Sequence, residues 1–205
     1  MRRHAPAGNR PVFTSSTPLP SRDEIARLWD EHGMLDNIRA HSEIVCSVAL
    51  LLTDWLAEGG VTLQREVVLA GALLHDLCKS ACLGTRRPHD REGCEALESL
   101  GYTELGFLVG AHVVLPEDQP LDETMIVNYA DKRVTHQEVT DLERRFEYIA
   151  ERYGKGIPRV EKLIAWGKKR AYEVEQTIFA AIGPAHAPEE IFERWDERLD
   201  EARGA

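Results

Sequence analysis

The sequence predicts an all-α fold, and three observations carry that expectation. Apolar residues recur at helical spacing through most of the chain. Ser, Thr and Asp stand where helix starts need caps, and no stretch combines period-two alternation with turn chemistry as a sheet would. At 205 residues the chain is long enough to bury a sizeable core in one domain.

Taken in order, residues 1–20 are rich in Pro, Ser and Thr without periodicity and read as a flexible leader. Ser21 with Glu24 is a capping box opening a short helix to about His32, where Gly33 ends it. Asp36 is read as the cap of a long helix through Glu58, closed by Gly59-Gly60, with Ile38, Val45, Ala49, Leu52 and Leu56 on one face. The helix from about Gln64 to Ala81 is apolar nearly all round, which marks it as central and buried. It is expected to carry His75 and Asp76 near its end.

Leu83 to Pro88 reads as a loop, followed by helices from Asp90 to Leu100 and, capped by Thr103, through His112. The proline-containing Val113 to Leu121 is a loop, and Asp122 caps a helix to Val134 that bears Asn128, Tyr129 and Asp131. Thr135 with Glu138 reads as a second capping box, starting a helix that Gly154 stops. Pro158 opens the segment ending at Gly183, and Pro188 opens a charged terminal helix. The expected organisation is a leader (1–20), a helical domain (21–155) and a C-terminal helical extension (156–205) packing on it.

A formal charge of −10 argues against a nucleic acid as main partner, because such binding rests on Lys and Arg neutralising phosphates. The four cysteines form no C-x-x-C pair and are read as reduced core thiols. No apolar core of signal-peptide type follows Arg2-Arg3, and no stretch reads as approaching the roughly 20 apolar residues of a bilayer span. The expectation is a cytoplasmic protein without a membrane partner; a homodimer stays open.

The chemistry lies in polar residues stranded on apolar helices. His41 sits between Ile38 and Ile44-Val45, His75-Asp76 end the buried helix, His112 ends the run Leu105 to Ala111, and Asp131 follows Ile126-Val127. Burying such groups unpaired costs several kcal/mol, and a divalent cation would satisfy all of them together. Adjacent helical residues point about 100° apart, so His75 and Asp76 share a metal only where the helix lies edge-on to it. Lys79 falls near the same face, placing a cation that suits a phosphate. Singly, each has a plainer reading: His41 or His112 as a satisfied core histidine, Asp131 as a cap or an arginine partner, Lys79 as solvated, and His89 as a loop residue before the helix capped by Asp90.

Together, His41, His75-Asp76, Lys79, His89 with Gly93, His112 and Asp131 within "NYADKRV" stand in an order that resembles the HD superfamily of metal-dependent phosphohydrolases. The likeness covers about Asn37 to Val134 and is nearest the small bacterial HDIG-type proteins, some of which hydrolyse diadenosine tetraphosphate. The H-D-I-G core reads H-D-L-C here, with Cys78 in the glycine place. No second histidine or G-Y-P follows His112, as cyclic-dinucleotide phosphodiesterases would have, and no Glu-Asp pair follows the doublet, as in alarmone hydrolases.

The resemblance implies an HD-type helical bundle that holds divalent metal, two ions being expected from among Fe, Mn, Co or Ni. It assigns His41, His75 and Asp131 to one ion, His89 and His112 to the other, and Asp76 to both. Asp76 and Lys79 would be catalytic, with Lys79, Arg86 and Arg87 binding a small phosphorylated substrate such as a nucleotide or dinucleoside polyphosphate. Two rivals share these ligands: a di-iron oxygenase, and a non-catalytic regulatory module stabilised by metal.

Overall fold

The computed structural model describes residues 10–204, and the fold is all-α. The leader reading of residues 1–9 lies outside the described residues. Residues 10–20 have no helix or strand, yet Phe13 packs in the core, Pro20 is buried and Arg10 pairs with Asp118. This part of the segment is irregular and anchored.

Helix α1 (Arg22–Glu31) starts at Ser21, whose hydroxyl accepts from the Glu24 amide at 3.3 Å, and Trp29 ties it to the bundle by donating to the Leu73 carbonyl at 3.0 Å. Helix α2 (Asp36–Glu58) is the central rod. Asp36 is its first helical residue and not its cap; that position is Leu35, whose amide donates to the Ser80 hydroxyl. Contrary to expectation, α2 is long and apolar enough to cross a membrane by length and composition. The 18-residue window concerned has a mean hydropathy of 1.3 and is 78% buried inside the bundle.

The expected helix over 64–81 is interrupted. Helix α3 (Arg65–Leu74) stops before His75, residues 75–78 form turns, and a short α4 (Lys79–Cys82) follows. Leu77 bonds back to Leu74 and Lys79 to Asp76, so the ladder tightens from i→i−4 to i→i−3 across the doublet. Helix α5 begins one residue earlier than read (His89–Ser99), which puts His89 on the helix and not in the loop; Asp90 is therefore no cap. Helix α6 (Thr103–Ala111) lies against α5 with Gly93 and Gly106 at the contact. A Cβ on Gly93 would meet Val109 Cγ1 at 2.9 Å, and one on Gly106 would meet the Cys94 carbonyl at 3.0 Å. Side chains there would hold the helices apart.

Helix α7 (Glu123–Lys132) is capped as expected, with Asp122 accepting from the Met125 amide at 3.0 Å. The Thr135–Glu138 capping box does not form. Val134–Thr135 (β1) and Glu138–Val139 (β2) pair as a minimal antiparallel hairpin, and the buried Thr135 hydroxyl has no partner among the described residues. The next helix, α8 (Leu142–Ile149), is capped instead by Asp141, which accepts from the Arg144 amide at 2.7 Å, and a π-turn (Ala150–Gly154) extends it.

Helix α9 (Pro158–Ile182) packs on α2, α7 and α8. The terminal segment is not one helix but a strap of short pieces, including α10 (Ile191–Arg194) and α11 (Leu199–Arg203), laid along α2. Ser47 donates to the Trp195 carbonyl, Arg65 pairs with Asp54 and Glu201, and the buried Arg133 reaches the Pro188 carbonyl at 3.1 Å.

Candidate metal centre

Four helix ends and one helix interior converge on a single buried spot. His75 and His112 use the same local device: each follows the last residue of an apolar helix, and each Nδ1 donates to the carbonyl three residues back. His75 bonds Ala72 at 2.7 Å and His112 bonds Val109 at 2.6 Å. The carbonyls of a helix's last turn lack intrahelical donors, so an imidazole there satisfies the backbone and is oriented by it. His41, inside α2, donates from Nδ1 to the His136 carbonyl at 2.7 Å. His136 turns the hairpin with a left-handed φ of 56°, which aims that carbonyl at α2.

With Nδ1 occupied as a donor, the neutral forms of all three rings present a lone pair at Nε2. Those lone pairs face carboxylates. His41 Nε2 lies 3.3 Å from Asp131 Oδ1 and His75 Nε2 lies 3.7 Å from the same oxygen. Asp76 Oδ2 is 3.3 Å from His75 Nε2 and 3.8 Å from His41 Nε2, whereas Asp76 Oδ1 is 3.2 Å from His89 Nε2 and 3.6 Å from His112 Nε2. One carboxylate thus gives one oxygen to each of two histidine groups.

The arrangement leaves polar atoms without partners. His89 Nε2 and His112 Nε2 stand 3.1 Å apart, and among the described residues His75 Nε2 and Asp76 Oδ1 are buried with no hydrogen-bond partner. An unsatisfied buried polar atom costs about 1–3 kcal/mol, more when charged. Ligand atoms about 2.1 Å from a common cation at 90–110° would lie roughly 3.0–3.4 Å apart, close to the spacings seen here. The donor set therefore fits divalent metal: His41, His75 and Asp131 form one group, Asp76, His89 and His112 the other, each with its ligand atoms within 4.8 Å of one another.

The surroundings hold the carboxylates ionised. Burial pushes the Asp76 carboxyl up, but His75 and Lys79 outweigh it and keep the group well below its ordinary value; for Asp131, burial is likewise outweighed by Arg145 and His41. Burial lowers His112, whereas for His75 the adjacent Asp76 more than offsets burial and raises the ring above its ordinary value. Lys79 bonds Asp76 Oδ2, and its side chain is 36% exposed. Beside it His89 is 28% exposed, against 2% for His112, so the centre opens on the Lys79–His89 side.

All six expected ligands come together, with Lys79 beside them. Arg86 and Arg87 are not brought to the centre by any contact among the described residues. Arg87 is spent on Glu92 and the Ala81 carbonyl, both at 2.9 Å, and Arg86 is exposed. The cation that does arrive is Arg145 from α8, 3.3 Å from Asp131 Oδ1. Sequence reasoning also missed two supports of His112, whose carbonyl accepts from Asn128 Nδ2 at 2.8 Å and from Lys132 Nζ at 3.0 Å. Burial pushes that lysine down to about 8. Asn128 lies one turn before Asp131, a signal that spacing alone contained.

No protein-family model matches the chain, and no curated protein or solved structure matches it. What is established is an all-α chain with buried His/Asp groups that could hold metal.

Proposed function

We propose that this chain is an HD-type, metal-dependent phosphohydrolase acting on a nucleotide, a dinucleoside polyphosphate or another small phosphorylated compound. The observation that carries the reading is the split of Asp76, one oxygen toward His75 and His41, the other toward His89 and His112. A carboxylate with one oxygen toward each of two imidazole groups suits a two-ion centre, and the order of these residues along the chain is that of the superfamily it resembles. His41, His75 and Asp131 would hold one ion and His89 with His112 the other, Asp76 being shared. Imidazole with carboxylate suits Fe, Mn, Co or Ni.

Such ions, when bound, supply Lewis acidity toward phosphoryl oxygens and lower the pKa of water to near neutrality. The protein's share is orientation and charge. Backbone carbonyls fix the His41, His75 and His112 imidazoles, Asp76 and Asp131 stay ionised, and Lys79 stands at the opening where a phosphoryl oxygen would enter. The lysine favours phosphate over the oxygenase chemistry that the same ligands would permit. The net charge of −10 speaks against nucleic acid, so a small substrate in the cytoplasm is the reading put forward.

Anaerobic purification with element analysis, followed by a phosphate-release screen over nucleotides, dinucleoside polyphosphates and simple esters, tests it. Metal-dependent release is the expected result. Metal-loaded protein that consumes oxygen and releases no phosphate would transfer the site to the oxygenase class.

A further inference from the structure

Arg145 sits at the centre with most of its capacity unused. It comes from α8, between Leu142 and Phe146, both buried in the core, and this packing points the intervening side chain inward. Its side chain is 14% exposed. The only partner recorded for it among the described residues is Asp131 Oδ1, met by Nη2 alone at 3.3 Å, and its Nε is buried with no partner. A guanidinium has five donors and meets a carboxylate best through two parallel bonds, so this single long contact is a poor use of it.

Asp131 Oδ1 is also the oxygen that faces His41 and His75, and hence the atom a metal in that group would take. Every other carboxylate on the hairpin and α8 close to Arg145 in sequence is otherwise engaged or exposed: Asp141 caps α8, Glu143 pairs with Lys168, and Glu138 and Glu147 are exposed. Nothing on these elements offers the guanidinium a better partner. Lys79, on the opposite carboxylate, has the same character, a cation held by Asp76 at the opening.

From this we infer that Arg145 is a substrate-binding residue, whose guanidinium takes the anionic oxygens of the phosphoryl group while Lys79 takes them from the other side. The inference rests on the phosphohydrolase reading of the same site and adds to it a second cation that Arg86 and Arg87 do not provide. Arg145 competes with metal for Asp131 Oδ1, so its loss leaves metal binding as tight as before or tighter. A residue that merely held Asp131 in place would have the opposite effect.

The test uses the full chain loaded with Mn²⁺, titrated with inorganic phosphate by calorimetry, as unmutated protein, Arg145→Gln and Arg145→Lys, with Mn²⁺ content and affinity measured in parallel. We expect Arg145→Gln to bind phosphate on the order of 10–100-fold more weakly at undiminished Mn²⁺ affinity, as for a lost charge-assisted hydrogen bond, and Arg145→Lys to recover part of the loss. Weaker Mn²⁺ binding in Arg145→Gln would make the residue a support of Asp131 and overturn the inference. So would unchanged phosphate affinity in a variant that still binds Mn²⁺, while release of phosphate from esters by the unmutated protein would leave the reading of the site standing. Unmutated protein that takes up neither Mn²⁺ nor phosphate would remove both.

Discussion

His186 and His75 are each flanked by carboxylates, one on the C-terminal strap and one at the bundle centre, and their hydrogen bonds end differently. His186 places Nδ1 3.1 Å from Glu190 and Nε2 3.0 Å from Glu58, and its ring stacks on Trp55 with centroids 4.4 Å apart. As an imidazolium it donates to both carboxylates, and Arg194 over the Trp55 ring completes the clasp. His75 has one nitrogen committed to a backbone carbonyl and the other turned, unpartnered, toward Asp76 and Asp131. A proton shared with two glutamates completes the first cluster, whereas the second has donor atoms that could hold a metal. Adjacency of histidine and carboxylate is common to both; in His75, as in His41 and His112, a carbonyl holds Nδ1 and leaves Nε2 facing the carboxylates.

The largest effect should follow from Asp76→Asn, because it weakens both groups at once. Saturating Mn²⁺, at about 100 times its dissociation constant, should stabilise the unmutated protein by about 2.7 kcal/mol for each ion bound, or roughly 5–10 °C per ion in melting temperature for a chain of this size. Asp76→Asn should lose most of that shift together with any phosphate release, whereas His186→Gln should keep it. Scanning calorimetry with and without Mn²⁺ decides. A full Mn²⁺ shift in Asp76→Asn would place the metal elsewhere and undo the contrast between the two clusters.

Next in size are the single-site changes. His41→Ala should empty one group, and His89→Ala or His112→Ala the other, each lowering the metal content from about two per chain to about one if the site is of the two-ion kind. Element analysis of anaerobically purified variants reads this directly. One ion per chain in the unmutated protein, unchanged by His89→Ala, would reduce Asp76 to a ligand of a single ion.

How much of this was readable without coordinates depends on the range of the interaction. The Ser21 and Asp122 caps and the Pro158 start are set within a few residues, and each appears where spacing put it. Five of the candidate ligands, His41, His75, Asp76, His112 and Asp131, could be named because polar groups on apolar helices stand out wherever the chain later takes them, whereas His89, on the polar α5, is named only through the family resemblance. The break at His75 could not, because it depends on an imidazole bonding Ala72 and on turns tightening by one residue. The hairpin replaced a capping box because Arg133, buried under the strap, holds the Thr140 carbonyl at 2.8 Å, a tertiary bond invisible to a local motif. Arg145 and the His136 carbonyl belong to the same class: their roles exist only once α8 and the hairpin have docked.

Gly93→Ala sharpens the comparison at smaller cost. Its Cβ would press on Val109 at 2.9 Å and force α5 away from α6, with an expected destabilisation of about 1–3 kcal/mol. Because His89 begins α5 and His112 ends α6, the second group should lose metal affinity while the first keeps it. Val109→Ala in the same chain should restore the affinity by making room. If Gly93→Ala loses stability and keeps both ions, the close approach of the helices serves packing alone.

The smallest effect belongs to His186, and its sign sets the two clusters apart. Burial lowers this ring, but Glu58 and Glu190 outweigh it, so the folded value lies above the ordinary 6.5. A base whose value rises on folding stabilises the fold fully below the unfolded value and loses that contribution as pH climbs through the folded one. Glu58 is largely exposed, which keeps the contribution near that of a surface pair, about 0.5–1 kcal/mol. Unmutated protein should therefore exceed His186→Gln in stability below about pH 6.5 and converge with it at higher pH, as read by urea unfolding of metal-free protein across pH 5–9. Metal uptake runs the other way, since imidazoles must be deprotonated to bind and affinity grows as pH rises. A His186→Gln chain with unaltered pH dependence would show that the strap is held by Arg133, Arg65 and Ser47 without help from the clasp.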